Sequence, residues 1–164
     1  MKKLNSQRKC MPEMDKIANT ILSAKRRRFL SSRPVFERYV PVSEAELFRL
    51  ATGLNFKFAL GLSKWLLLAG YGDIDGTLSF REEWFSVIDA EPLDGHVSFA
   101  QDVVGNRYAF NPKDGSIYYI RHPEQAVARI SDDFPSFLQE LIRRDYRLKE
   151  WMDSIAVAKL TRLK

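Results

Sequence analysis

Seven carboxylates and one indole are the residues of this chain whose types and spacing best suit intermolecular chemistry. Asp73, Asp75, Glu82, Glu83, Asp89, Glu91 and Asp94 fall within a single stretch, and Trp84 stands directly beside the Glu82-Glu83 pair. Carboxylates at this density repel polyanions and attract basic surfaces. An aromatic flanked by charge has the composition that protein interfaces favour. The plainer reading of the same residues is a solvated acidic face, with Trp84 in the core. Asp132 and Asp133 have a local task instead, as carboxylates at a helix start, where the helix dipole stabilises them.

Catalytic chemistry finds little support. His96 and His122 are the only histidines and Cys10 the only cysteine. None of them has partners at the spacing a metal site or an activated nucleophile needs, so no metal, no cofactor and no catalytic residue is expected. His122-Pro123-Glu124 reads as a strand-end histidine leading a loop. Gly70-Tyr71-Gly72 lacks both the third glycine and the following helix that would aim amides at a pyrophosphate, and helix termination explains these glycines better. A lone cysteine makes no internal disulfide. With no long apolar run and no apolar segment behind the basic N-terminus, a cytoplasmic protein without membrane insertion is expected.

The net charge of +5 hides three zones. Residues 1–39 carry 11 Lys/Arg against 3 Asp/Glu, residues 40–142 carry 8 against 15, and residues 143–164 carry 7 against 3. The expected organisation is a basic, partly helical N-terminal extension over 1–39, an acidic core over 40–142 and a basic helical extension over 143–164. The run Lys25, Arg26, Arg27, Arg28 invites weak nucleic-acid or anionic-surface contact. The same run is also able to lie across the acidic core, because tethered opposite charges meet at high effective concentration.

The elements that must position these residues follow from periodicity and caps. A helix is expected over 12–30, ended by Ser31-Ser32-Arg33-Pro34. Ser43 and Glu46 form a capping box for a helix reaching Gly53, with Leu47, Leu50, Ala51 and Leu54 as its buried stripe. A second helix is expected over 58–69, then one or two strands over 77–89. Residues 95–142 read as a three-strand meander closed by a helix. Gly105-Asn106 signals a two-residue hairpin turn, and Asn111-Pro112-Lys113-Asp114-Gly115 a second turn. Asp133 caps a helix buried through Phe134, Phe137, Leu138, Leu141 and Ile142. Helical spacing continues through Leu148, Trp151, Met152, Ile155 and Leu160, with Arg143-Arg144-Asp145 as a candidate break.

Together these pieces resemble the SUKH superfamily, which contains bacterial immunity proteins and fungal cell-wall-assembly regulators. The resemblance is carried, in order, by KWLLLAGYGDIDG at 64–76, VSFAQDVVGN at 97–106, PKDGSIYYI at 112–120, the His122-Pro123-Glu124 segment and DFPSFLQELI at 133–142. It covers roughly residues 43–142. It implies an α+β single domain, with an antiparallel sheet of about four to six strands packed by helices from both ends of the chain. It also implies an immunity protein, which neutralises the toxic domain of a polymorphic or contact-dependent toxin, often a nuclease, by binding alone. The alternatives are a cytoplasmic scaffold or regulator of the same superfamily, or a nucleic-acid-associated protein using its basic extensions.

Overall fold

The computed structural model describes residues 2–156 and 161–162, with side chains described over 13–155. Leu160, and the side chain of Cys10, lie outside the described residues. The architecture is α+β, with a sheet that is antiparallel at every pairing.

The chain opens with α1 (Lys2–Ser23), then a two-stranded hairpin of β1 (Lys25–Arg28) and β2 (Ser31–Pro34), then β3 (Phe36–Val40). Helices α2 (Glu44–Gly53) and α3 (Leu62–Ala69) lead into β4 (Tyr71–Ile74) and β5 (Leu78–Phe80). A 3-10 turn at Glu82–Trp84 and β6 (Ser86–Val87) precede β7 (Val97–Asp102), β8 (Arg107–Phe110), β9 (Ile117–Arg121) and β10 (Ala126–Ser131). Helices α4 (Phe134–Arg143) and α5 (Leu148–Ala156) and strand β11 (Thr161–Arg162) follow. The main sheet runs β11-β10-β9-β8-β7-β5-β4-β3, with β6 on β7. Its nine strands exceed the four to six expected. The meander gains a fourth strand, β10, beyond the histidine loop, and β3 comes from the basic N-terminal zone.

The expected helix over 12–30 is corrected at both ends. It begins at Lys2 and stops at Ser23, where the Ser23 hydroxyl donates to the Asn19 carbonyl at 2.7 Å. Past Ser23 the Ala24 amide bonds the Ile21 carbonyl at 3.2 Å, a tighter turn that closes the helix end. The Lys25–Arg28 run is a strand, with Arg26 opposite Arg33 and Arg28 opposite Ser31. Pairing with Ser31–Pro34 holds these good helix formers extended, and Arg26 is anchored besides to carboxylates distant in the chain. The boundary drawn at residue 39 falls inside β3. Met14, Ile17, Ala18 and Ile21 of α1 are buried in the same cluster as Trp65, Phe80 and Phe99.

Local signals formed the other helices. In α2 the Glu46 amide donates to Ser43 Oγ and the Ser43 amide to the Glu46 carboxylate, at 2.6 Å for the latter. In α4, Asp133 accepts from the Ser136 amide at 2.8 Å, and Phe134, Phe137, Leu138 and Leu141 are buried. The candidate break after Arg143 is real: Asp145 and Tyr146 take φ of 53° and 60° and separate α4 from α5. The second helix starts later than expected, at Leu62, because Gly61 takes a φ of 85° at its N-cap. That leaves Phe56 and Phe58 in a loop, packed on each other at 4.9 Å and on Phe85 at 6.1 and 5.9 Å.

The meander turns are held by carboxylates. Between β7 and β8, Asp102 accepts from the amides of Val104 and Asn106, from Asn106 Nδ2 at 2.8 Å and from the Tyr108 hydroxyl at 3.2 Å. The turn is therefore longer than a two-residue Gly-Asn hairpin, although Gly105 does take a positive φ of 90°. Asn106 Oδ1 then receives the His122 amide at 2.8 Å, which ties this turn to the next.

Helices and aromatic side chains build the main core over one face. Phe80, Phe99 and Phe134 meet at centroid distances of 5.8 to 6.3 Å, and Trp65 meets Phe36 at 5.3 Å. On the other side of the sheet a smaller cluster joins Ile88 and Leu93 to Ala109, Ile120 and Val127. The segment between β6 and β7 is thus a cover over β8 to β10, closed on itself by the Ile88 amide to the His96 carbonyl at 2.8 Å. Replacing Ile21, which is fully buried, with alanine is expected to cost about 2–5 kcal/mol by lost transfer and cavity formation. Urea unfolding measures it; a cost near zero would mean that α1 is not part of the cooperative unit.

Candidate binding surface

The eight residues singled out by the sequence do not behave alike, and geometry divides them into spent and free groups. Asp73 lies on β4 and accepts from the Tyr39 hydroxyl at 2.6 Å and the Ser79 hydroxyl at 2.5 Å. Asp75, at a φ of 51° in the β4–β5 turn, accepts from Arg26 Nε and Nη2 at 3.2 and 3.0 Å and from Arg33 Nη2 at 3.3 Å. Both acids are committed within the molecule. Trp84 is half-buried and its Nε1 is buried without a partner, so it serves packing more than contact.

Glu82, Glu83, Asp89, Glu91 and Asp94 remain exposed. Glu82 and Glu83, on the 3-10 turn, and Glu46 of α2 all act electrostatically on the buried Tyr71 of β4. Burial first, and then these three carboxylates, push the Tyr71 phenol up to about 12. The acids of α2 and of the 3-10 turn, far apart in sequence, thus lie within electrostatic reach of one phenol. Glu46 itself is held below the ordinary carboxylate range by its bonds to Ser43.

A groove of about 930 Å³ is built from α2 with its following loop, the cover between β6 and β7 and the β8–β9 turn. Its lining includes Phe48, Phe56, Val87, Asp94, His96 and Lys113. Phe48 is 73% exposed and Val87 44% exposed, although both are large apolar side chains. Sequence reasoning missed these two. The signal was present for Phe48, because the stripe of Leu47, Leu50, Ala51 and Leu54 leaves it on the solvent side of α2. Val87 gave none, since the two-residue strand that carries it has no readable period.

His96 is buried, edge-on to Tyr118 at 4.9 Å, and its Nε2 has no partner. His122 is exposed in the β9–β10 loop. Among the described residues no group of three or more His, Cys, Asp or Glu side chains is arranged to hold a metal ion. No described helix is long and apolar enough to cross a membrane.

The basic run is divided in the same way. Arg26 is clamped, while Lys25, Arg27 and Arg28 are exposed on the hairpin. The hairpin cations Arg26 and Arg33 meet the acidic zone at Asp75, and Glu82 and Glu83 stay exposed.

Because carboxylates disfavour the phenolate, replacing Glu82 and Glu83 with glutamine is expected to lower the Tyr71 titration from about 12 part of the way towards 10, burial and then Glu46 accounting for the rest. Tyrosine-ring NMR across alkaline pH reads this shift. An unchanged titration would mean that the two acids do not act on the phenol. Compared with known protein families, curated proteins and solved structures, the chain matches none.

Proposed function

We propose that this is an immunity protein of the SUKH type, which neutralises a basic toxin domain by covering it and performs no chemistry itself. The observation that carries this reading is the joining of uncommitted acid to exposed apolar side chains on one pair of segments. Glu82, Glu83 and Asp94 are exposed and in no ion pair among the described residues, and Phe48 and Val87 supply apolar anchors in the groove that Asp94 also lines. Apolar anchors ringed by charge are the composition of protein interfaces, where buried hydrophobic contact sets the lifetime of the complex and charge sets the encounter rate.

A nuclease toxin must present a basic cleft to bind phosphates, and an acidic surface occupies such a cleft without acting as a substrate. The order of motifs shared with the SUKH superfamily supplies the toxin-neutralising role, and the same resemblance extends to scaffold proteins. Both roles need the same kind of surface and differ in the partner. Asp89 and Glu91, exposed on the cover segment, extend the negative field towards β8 to β10.

The test is co-elution with an inactivated toxin domain encoded beside this gene. Two variants separate the contributions. Charge reversal at Glu82 and Glu83 is expected to slow association by about tenfold at low salt and by little at high salt. Phe48→Ser is expected to raise the dissociation rate by about tenfold or more at every salt concentration. No complex with the toxin domain, or a complex indifferent to both changes, contradicts the proposal.

A further inference from the structure

The two most exposed large apolar side chains among the described residues are neighbours. Phe29 is 98% exposed and Leu30 92% exposed, and together they form the tip between β1 and β2. Neither touches the core. Water-exposed apolar groups scattered singly need no explanation, but two adjacent ones at the end of a projecting ribbon, with cations directly behind them, form a pattern.

The ribbon is braced at its root. Arg26 and Arg33 are cross-strand partners and share one face, where both bind Asp75. Arg26 also binds Asp145 at 2.9 Å and lies over the Tyr146 ring at 5.7 Å. The strand period of two directs Lys25 and Arg27 to the opposite face, where both are exposed. Arg28 follows at the tip itself. With about 3.3 Å per strand residue, Arg28 is level with the base of the tip, Arg27 about 3 Å behind it and Lys25 about 10 Å behind.

We infer that the Phe29-Leu30 tip with Arg27, Arg28 and Lys25 is a peripheral docking element for an anionic lipid surface. Amphipathic elements that rest on membranes bury their apolar side about 5–10 Å into the headgroup and acyl boundary. Insertion of the tip to that depth brings Arg28 and Arg27 to the level of the lipid phosphates. Each cation near an anionic leaflet strengthens attachment by about fivefold.

Nucleic acid fits the ribbon less well. Over residues 25–34 Phe29 is the only aromatic, and no Asn or Gln stands ready to read base edges. A polyanion rewards the cations but leaves the apolar tip in water. The lipid boundary rewards both. This element uses none of the residues of the acidic surface, so it stands or falls separately from the toxin-binding proposal.

The test is co-sedimentation of the full chain with phosphatidylcholine vesicles, with and without phosphatidylglycerol, alongside competition by single- and double-stranded oligonucleotides. Binding is expected only to the anionic vesicles, weakened by salt. The double variant Phe29→Ser with Leu30→Ser is expected to weaken it by about tenfold or more, and Arg27→Ser with Arg28→Ser by about 25-fold, as two cations are lost. Thermal unfolding of both variants is expected to match the parent, because these side chains are solvent-exposed and lie outside the core. Absence of vesicle binding, binding that ignores the tip variant, or tighter binding to the oligonucleotides at equal salt overturns the inference.

Discussion

One guanidinium joins three parts of the chain that are remote in sequence. Arg26 donates to Asp75, which is 49 residues away, and to Asp145, which is 119 residues away. Both acceptors sit at left-handed positions, in the β4–β5 turn and the α4–α5 elbow. Side-chain bonds to Asp75, and then to Asp145, raise the affinity of Arg26 for its proton. Backbone that is locally unfavourable for a non-glycine residue persists when its surroundings over-determine it, and a planar fork of donors suits that role. The same contact fastens the root of the β1–β2 hairpin to the β4–β5 turn and the α4–α5 elbow. It also removes Asp75 from the set of acids open to a partner.

This exchange of charge inside the molecule explains why net charge by zone is a coarse guide. The basic zone is not uniformly free, since Arg26 and Arg33 are consumed and Lys25, Arg27 and Arg28 are not. The acidic zone divides too, because Asp73 ties β3 to β5 and Asp75 ties the hairpin to the β4–β5 turn, while Glu82 and Glu83 face solvent. Exposed pairs such as Arg129–Asp132 add little to stability. The partly buried Asp75 site, with a side-chain exposure of 14%, is where charge pairing shapes the fold.

Legibility in the sequence followed the range of the interaction. Ser43, Glu46 and Asp133 were readable because a cap is satisfied within three residues, and the Asn111–Gly115 turn because its bonds are equally local. The β1–β2 hairpin was not readable, because its strands alternate no apolar residues and Arg26 is anchored by carboxylates on other elements. The β7–β8 turn was misjudged in length for a similar reason, since Asp102 reaches across it to Asn106 and Tyr108. In the candidate surface, Glu82, Glu83 and Asp94 were legible as charge. Their partner Phe48 lay in plain view as the large apolar residue left off the buried stripe of α2.

The proposed partner surface is made by α2 with its following loop and by the segment from Glu82 to His96. Hydrogen–deuterium exchange of the full chain, with and without the inactivated toxin domain, maps that surface directly. Protection is predicted in residues 44–56 and 82–96, with the hairpin over 25–34 exchanging at its free rate. Protection concentrated in the hairpin, or on α4 and α5, with residues 44–56 and 82–96 unchanged, would contradict the account.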